Sequence, residues 1–76
     1  MPHVIVKLWP GKSEQQKRNL TDAIVKDLVT TLATSEDSVS VSIEEIESRD
    51  WMETVYRPDI EKNMAALYKK PGYEPF

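Results

Sequence analysis

The sequence predicts an α/β (α+β) domain built on a βαβ unit with parallel strands, with a short C-terminal helix after it. Three observations carry this expectation. A β-branched run, Val4-Ile5-Val6, opens the chain, and a long segment with apolar residues at spacings of three and four follows Pro10-Gly11-Lys12-Ser13. Val39-Ser40-Val41-Ser42-Ile43-Glu44 then alternates between apolar and polar residues, the pattern of a strand with one covered face. A strand, a helix and a second strand in that order predict a right-handed crossover and a parallel pair.

The first strand is expected over His3 to Trp9. Alternation puts Val4, Val6 and Leu8 on one face and His3, Ile5, Lys7 and Trp9 on the other. Pro10-Gly11 supplies the turn chemistry that ends it. Pro2 is compatible with plain strand entry, where a missing N–H costs nothing. Bacterial-type removal of Met1 would also leave it as a free secondary amine, a candidate base anchored by the strand that follows.

Ser13 with Gln16 three residues later forms a capping-box signature, and Glu14 in the first turn suits the helix dipole. Leu20, Ala23, Ile24, Leu28 and Leu32 form one apolar stripe, with Lys17, Arg18, Asp22 and Lys26 expected to face outward. Thr30-Thr31 lowers helix propensity, and Thr34 to Ser38 reads as a polar connection. In the second strand Val39, Val41 and Ile43 join Val4, Val6 and Leu8 beneath the helix. The opposite face, bearing Ile5 and Trp9, has no cover in the chain, so a partner subunit is expected to complete it.

Past Glu45 the pattern breaks into a polar loop that holds Trp51 and Met52. Arg57-Pro58 reads as a helix entry with proline in the first turn, and Ile60, Met64 and Leu67 as its apolar stripe. Pro71-Gly72 ends that helix. The aromatic tail Tyr73-Glu74-Pro75-Phe76 suits docking on a neighbouring surface.

With 76 residues, residues 1–76 are expected to form a single domain whose core supplies only about 3–5 kcal/mol. There is no cysteine and one histidine, His3, which excludes disulfides, cysteine zinc sites and histidine clusters. No metal or cofactor is therefore expected, and self-association is the remaining source of buried surface. The net charge of −3 and the absence of a basic stripe argue against nucleic acid. No run is long enough to span a membrane and no secretory pattern opens the chain, so a cytoplasmic protein is expected.

Proline after Met, the short strand, Pro-Gly-Lys-Ser, the Glu-Gln-Gln-Lys helix start and Ser-Val-Ser-Val-Ser-Ile-Glu-Glu together resemble the 4-oxalocrotonate tautomerase family. The resemblance runs over roughly the first 51 residues, is strongest from Leu8 to Lys17, and is nearest to the small bacterial tautomerases that ketonise arylpyruvate (phenylpyruvate) enols. It implies that Pro2 is the catalytic general base and that Lys12, where the family usually has arginine, binds the substrate carboxylate. Ser40 falls on a second family arginine that a neighbouring subunit contributes, and Trp51 on an apolar wall residue that is often phenylalanine.

With one cation at the matched positions, the resemblance implies a monocarboxylate enol such as phenylenolpyruvate, and Trp51 suits a flat substituent. Arg49 or Arg57 could restore a second charge. The segment beyond Trp51 is longer than in hexameric members, which points to a homodimer. Two other readings fit parts of the chain: a dimeric ribbon-helix-helix DNA-binding module, disfavoured by the charge and the second strand, and a non-catalytic interaction subunit using Trp51 and the aromatic tail.

Overall fold

The computed structural model describes residues 1–76 as two compact units, Met1–Glu45 and Ile46–Phe76. The first is the expected βαβ unit. Strand β1, His3–Leu8, and strand β2, Ser40–Glu45, pair in parallel, with His3 opposite Ser40 and Leu8 opposite Glu45. Helix α1, Glu14–Leu32, connects them, and a single tight turn, Glu36–Ser38, leads into β2. Trp9 and Val39 fall just outside the strands the alternation predicts.

The start of α1 follows the capping box in both directions. The Gln16 N–H donates to Ser13 Oγ at 3.0 Å, and the Ser13 N–H donates to Gln16 Oε1 at 2.9 Å. At the other end the chain turns through Ala33, which adopts a left-handed conformation with φ 52°, a cap position that favours glycine. The Thr34 N–H reaches back to the Val29 carbonyl at 3.3 Å and closes the turn.

The covered stripe of α1 is rotated from the expected one. Lys17, Thr21, Ile24, Val25, Leu28 and Val29 are half-buried, whereas Leu20 and Leu32 are exposed. Leu32 is the last residue of the helix, while Leu20, between the covered Lys17 and Thr21, is turned off the sheet by the rotation that brings Lys17 to Glu45. On the sheet face away from α1, Ile5 and Trp9 remain 51% and 49% exposed. No residue of Met1–Glu45 is fully buried.

In the second unit a short turn, Ser48–Asp50, leads into helix α2, Met52–Ile60, which tightens into a narrower coil over Glu61–Ala66. The expected helix entry at Arg57-Pro58 is corrected here: the helix begins at Met52, and Pro58 lies inside it. The winding explains how. Proline lacks an N–H and its ring clashes with the carbonyl four residues back, and α2 is wound wide, with the Glu61 N–H reaching the Tyr56 carbonyl as well as that of Arg57. Asn63 Nδ2 then donates to the Pro58 and Asp59 carbonyls at 3.2 and 3.3 Å. Val55 and Tyr56, on α2, are the two buried residues of the chain.

Candidate functional site

Parallel pairing sets Pro2 just ahead of the first cross-strand pair and so fixes its neighbours. The Ser40 N–H donates to the Pro2 carbonyl at 3.2 Å, extending the ladder by one bond beyond β1. Beside it, His3 Nδ1 and Ser40 Oγ lie 2.6 Å apart across the two strands. Pro2 is half-buried, while Met1 projects fully into solvent. Of the residues singled out by sequence, Pro2 and Ser40 are thus brought together, and the fold adds His3 to them.

Lys12 stands at the other end of β1, in the turn between Gly11 and the Ser13 cap. It is exposed and lines a groove with Leu8, Gln16, Lys17 and Leu20. From Pro2 to Leu8 a strand rising about 3.3 Å per residue covers on the order of 20 Å. Within one chain, then, Pro2 and Lys12 do not flank a single small molecule. The turn carries Lys12 to the end of β1 opposite Pro2.

Lys17 departs from the outward position its helical spacing predicts. Its side chain is 16% exposed and bridges Glu14 Oε1 at 2.8 Å and Glu45 Oε2 at 3.3 Å. The bond from Lys17 holds the Glu14 carboxyl below the usual carboxylate range, and the same carboxylates push the Lys17 ammonium up. Lys17 therefore ties the start of α1 to the end of β2, while Lys12 presents its charge at the groove mouth. Helix spacing alone had no means to find this, since Glu45 is remote in sequence.

In the second unit Trp51 is half-buried at the entrance to α2, and its indole N–H donates to the Tyr73 hydroxyl at 3.0 Å. Tyr73 in turn packs its ring 5.8 Å from that of Tyr56 and 6.4 Å from that of Phe76. The tail that the sequence suggested for docking on a neighbour is thus folded back against residues of its own unit. Burial, with Glu61, Glu74 and Tyr73 nearby, pushes the Tyr56 phenol up. Arg57 is exposed and paired with Glu53 at 3.0 Å, and Arg49 is exposed in the turn before Trp51.

Chemically, the first unit offers a proline at position 2 anchored by the sheet, an imidazole–hydroxyl pair beside it, and a cation at a helix start with apolar neighbours. No group of three or more His, Cys, Asp or Glu side chains is arranged to hold a metal ion, and no helix is long and apolar enough to cross a membrane.

Known proteins fit this arrangement. The family model described as tautomerase enzyme matches residues 2–55. A probable tautomerase of Xylella fastidiosa (strain 9a5c) is 41% identical over 73 residues, covering 96% of this chain and 89% of that protein. Tautomerase PptA of Cronobacter sakazakii (strain ATCC BAA-894) is 36% identical over 75 residues, covering 97% and 99%. Among solved structures, a 4-oxalocrotonate tautomerase isozyme from Methylibium petroleiphilum superposes with a TM-score of 0.64 at 29% identity, over 87% of this chain and all of that one. YwhB, a homologue of 4-oxalocrotonate tautomerase, gives 0.59 at 37% identity over 60% of this chain and 75% of its own. With the βαβ unit and the proline-led strand inside the matched region, the chain belongs to the tautomerase family and is an isomerase.

Proposed function

We propose that this tautomerase ketonises the enol of a 2-keto acid, a monocarboxylate such as phenylenolpyruvate, with the processed N-terminal amine of Pro2 as general base. The observation that carries the reading is the bond from the Ser40 N–H to the Pro2 carbonyl, with Met1 wholly exposed. Removal of Met1 disturbs no packing and leaves the ring nitrogen on a residue already held by the sheet. The neutral amine takes the enol O–H proton, the oxygen pair closes to the C=O bond, and the C=C pair accepts a proton from the prolinium at the adjacent carbon. The prolinium returns the proton it took, so no net charge or redox change occurs.

A base working near pH 7 needs a pKa near 7, and an α-amino group ordinarily titrates at about 7.7–8.0. Half-burial of Pro2 and a cation close by both lower it. Lys12 is that cation and also holds the substrate carboxylate, helped by the N–H groups at the start of α1. Because β1 separates Pro2 from Lys12 in one chain, the pairing is between subunits of a homodimer. The exposed Ile5 and Trp9 and the lack of any fully buried residue in Met1–Glu45 support self-association. The family resemblance assigns Trp51 the role of apolar wall for a flat substituent. The name tautomerase PptA among the relatives is compatible with this substrate class.

The test is to acylate the Pro2 amine of the processed protein and measure ketonisation of phenylenolpyruvate in a buffer that does not itself catalyse the reaction. General-base catalysis contributes about 10²–10⁴-fold, and a loss of that size in kcat/KM is expected. Unchanged turnover would show that another group removes the proton.

A further inference from the structure

We infer that His3 is a proton-sensitive positioning residue that controls, through Ser40, the hydrogen-bond donor offered to a substrate carboxylate beside Pro2. The inference rests on the site proposed above. Its basis is one contact: His3 Nδ1 lies 2.6 Å from Ser40 Oγ, and the backbone N–H of the same serine holds Pro2. Ser40 is therefore a shared element between the imidazole and the N-terminal residue.

A serine hydroxyl has one hydrogen to give and two lone pairs to accept with. When imidazole is neutral with its proton on Nε2, Nδ1 is an acceptor, and the short contact takes up the hydroxyl hydrogen. An anion next to Ser40 then faces oxygen lone pairs. When the ring is protonated, both nitrogens are donors. The Nδ1–H now donates to Ser40 Oγ, and the hydroxyl hydrogen is released toward the anion. Protonation thus turns Ser40 from a poor neighbour of a carboxylate into a charge-assisted donor, since a donor polarised by a cation binds more strongly.

Histidine is the side chain suited to such a reversal, because one added proton turns an acceptor nitrogen into a donor. The groups bearing on His3 are few. The Pro2 amine is adjacent in the chain, and repulsion between the two cations opposes full protonation of both. Along the open sheet face the next charges are Lys7 on β1 and Glu44 on β2, which are paired in register four residues on. The charges of α1 lie against the other face, where Lys17 meets Glu45. Nearer to His3 stand the Pro2 amine, any bound carboxylate and, in the proposed homodimer, the Lys12 cation that accompanies that carboxylate.

The consequence is a linkage: a carboxylate that prefers the protonated pair must raise the titration midpoint of His3. His3 is the single histidine, so its ring resonances can be followed by NMR without ambiguity. The probe is 3-phenylpropanoate, an aryl carboxylate that cannot tautomerise, added to the processed protein to saturation. The His3 midpoint is expected to rise by about 0.5–1 pH, equivalent to about 3–10-fold tighter binding to the protonated form. In Ser40→Ala the rise should fall to less than half, and in His3→Gln the pH dependence of the KM for phenylenolpyruvate should shrink to the part set by the Pro2 amine.

Binding of the probe with no movement of the His3 midpoint overturns the inference while leaving Pro2 as base. So does a full-sized rise in Ser40→Ala, which would mean that the serine is a bystander. Absence of probe binding together with absence of ketonisation removes the proposed function and this inference with it. Ketonisation without probe binding at any pH removes only the inference, because no carboxylate contact is then made for Ser40 to strengthen.

Discussion

Tyr73 gives the sharpest test of how the aromatic tail holds Trp51. Tyr73→Phe removes the oxygen that accepts the Trp51 indole N–H at 3.0 Å and keeps the ring that packs against Tyr56 and Phe76. A net hydrogen bond contributes about 0.5–1.5 kcal/mol, and with Tyr73 42% exposed water partly replaces it, so about 0.5–1 kcal/mol is expected for its loss. Tyr73→Ala also loses two ring contacts at about 0.5–1 kcal/mol each, which brings the total to about 1.5–3 kcal/mol. At an m-value near 1 kcal/mol/M, these become urea midpoint shifts of about 0.5–1 M and 1.5–3 M. Fluorescence of Trp51 in a Trp9→Phe background reads the transition, at one fixed protein concentration. Equal shifts for Phe and Ala would refute a separate contribution from the rings, and no shift for Phe would refute the hydrogen bond in solution.

Three other outcomes follow from single features of the fold. Ala33→Gly relieves a left-handed residue that costs about 1–2 kcal/mol against a glycine entropy cost of about 0.5–1 kcal/mol. Because Ala33 is exposed and in the cap at φ 52°, thermal unfolding should move upward, and a lower Tm would contradict the cap assignment. The Glu14 carboxyl is held below its ordinary 4.5 by Lys17, so its contribution is present above that value and is lost as the pH falls through the depressed one. Lys17→Met should accordingly flatten the acid limb of stability against pH, measured by chemical denaturation from pH 6 downward, and an unchanged limb would show that the bridge is broken in solution. Mixing Pro2-acylated chains with Lys12→Ala chains tests where the site is built. If the two residues come from different subunits, a random 1:1 dimer mixture recovers about a quarter of wild-type activity, whereas a site within one chain recovers none.

The elements legible in the sequence were those fixed by neighbours in the chain. Ser13 and Gln16 announced the start of α1, and the capping box forms as read. The two β-branched runs gave both strands to within a residue at their ends. What the sequence hid were pairings set by three-dimensional register. Nothing local distinguishes Lys17 from Lys26, yet only the former meets a carboxylate from the end of β2. His3 and Ser40 are likewise unremarkable until a parallel register places them opposite one another. At Pro58 a sound local rule misled: proline usually marks a first turn, but a wide-wound helix takes it in its interior.

The same register determines what the chain can do alone. A parallel pair with one crossover necessarily sends the residue before β1 and the turn after it to opposite ends of the sheet. Lengthening β1 would only separate Pro2 and Lys12 further, and shortening it would remove the ladder that holds Pro2. No single-chain adjustment of this fold brings the two together while keeping Pro2 anchored. In the proposed homodimer a second copy running in the opposite direction would do so, because the start of one β1 would lie beside the end of the other. The exposed Ile5 sits on that same strand and the exposed Trp9 just past its end, so the surface that most needs covering and the distance that most needs closing call for the same partner. In this reading association is part of the chemistry: it supplies both the apolar burial that the first unit lacks and the cation that its own proline cannot reach.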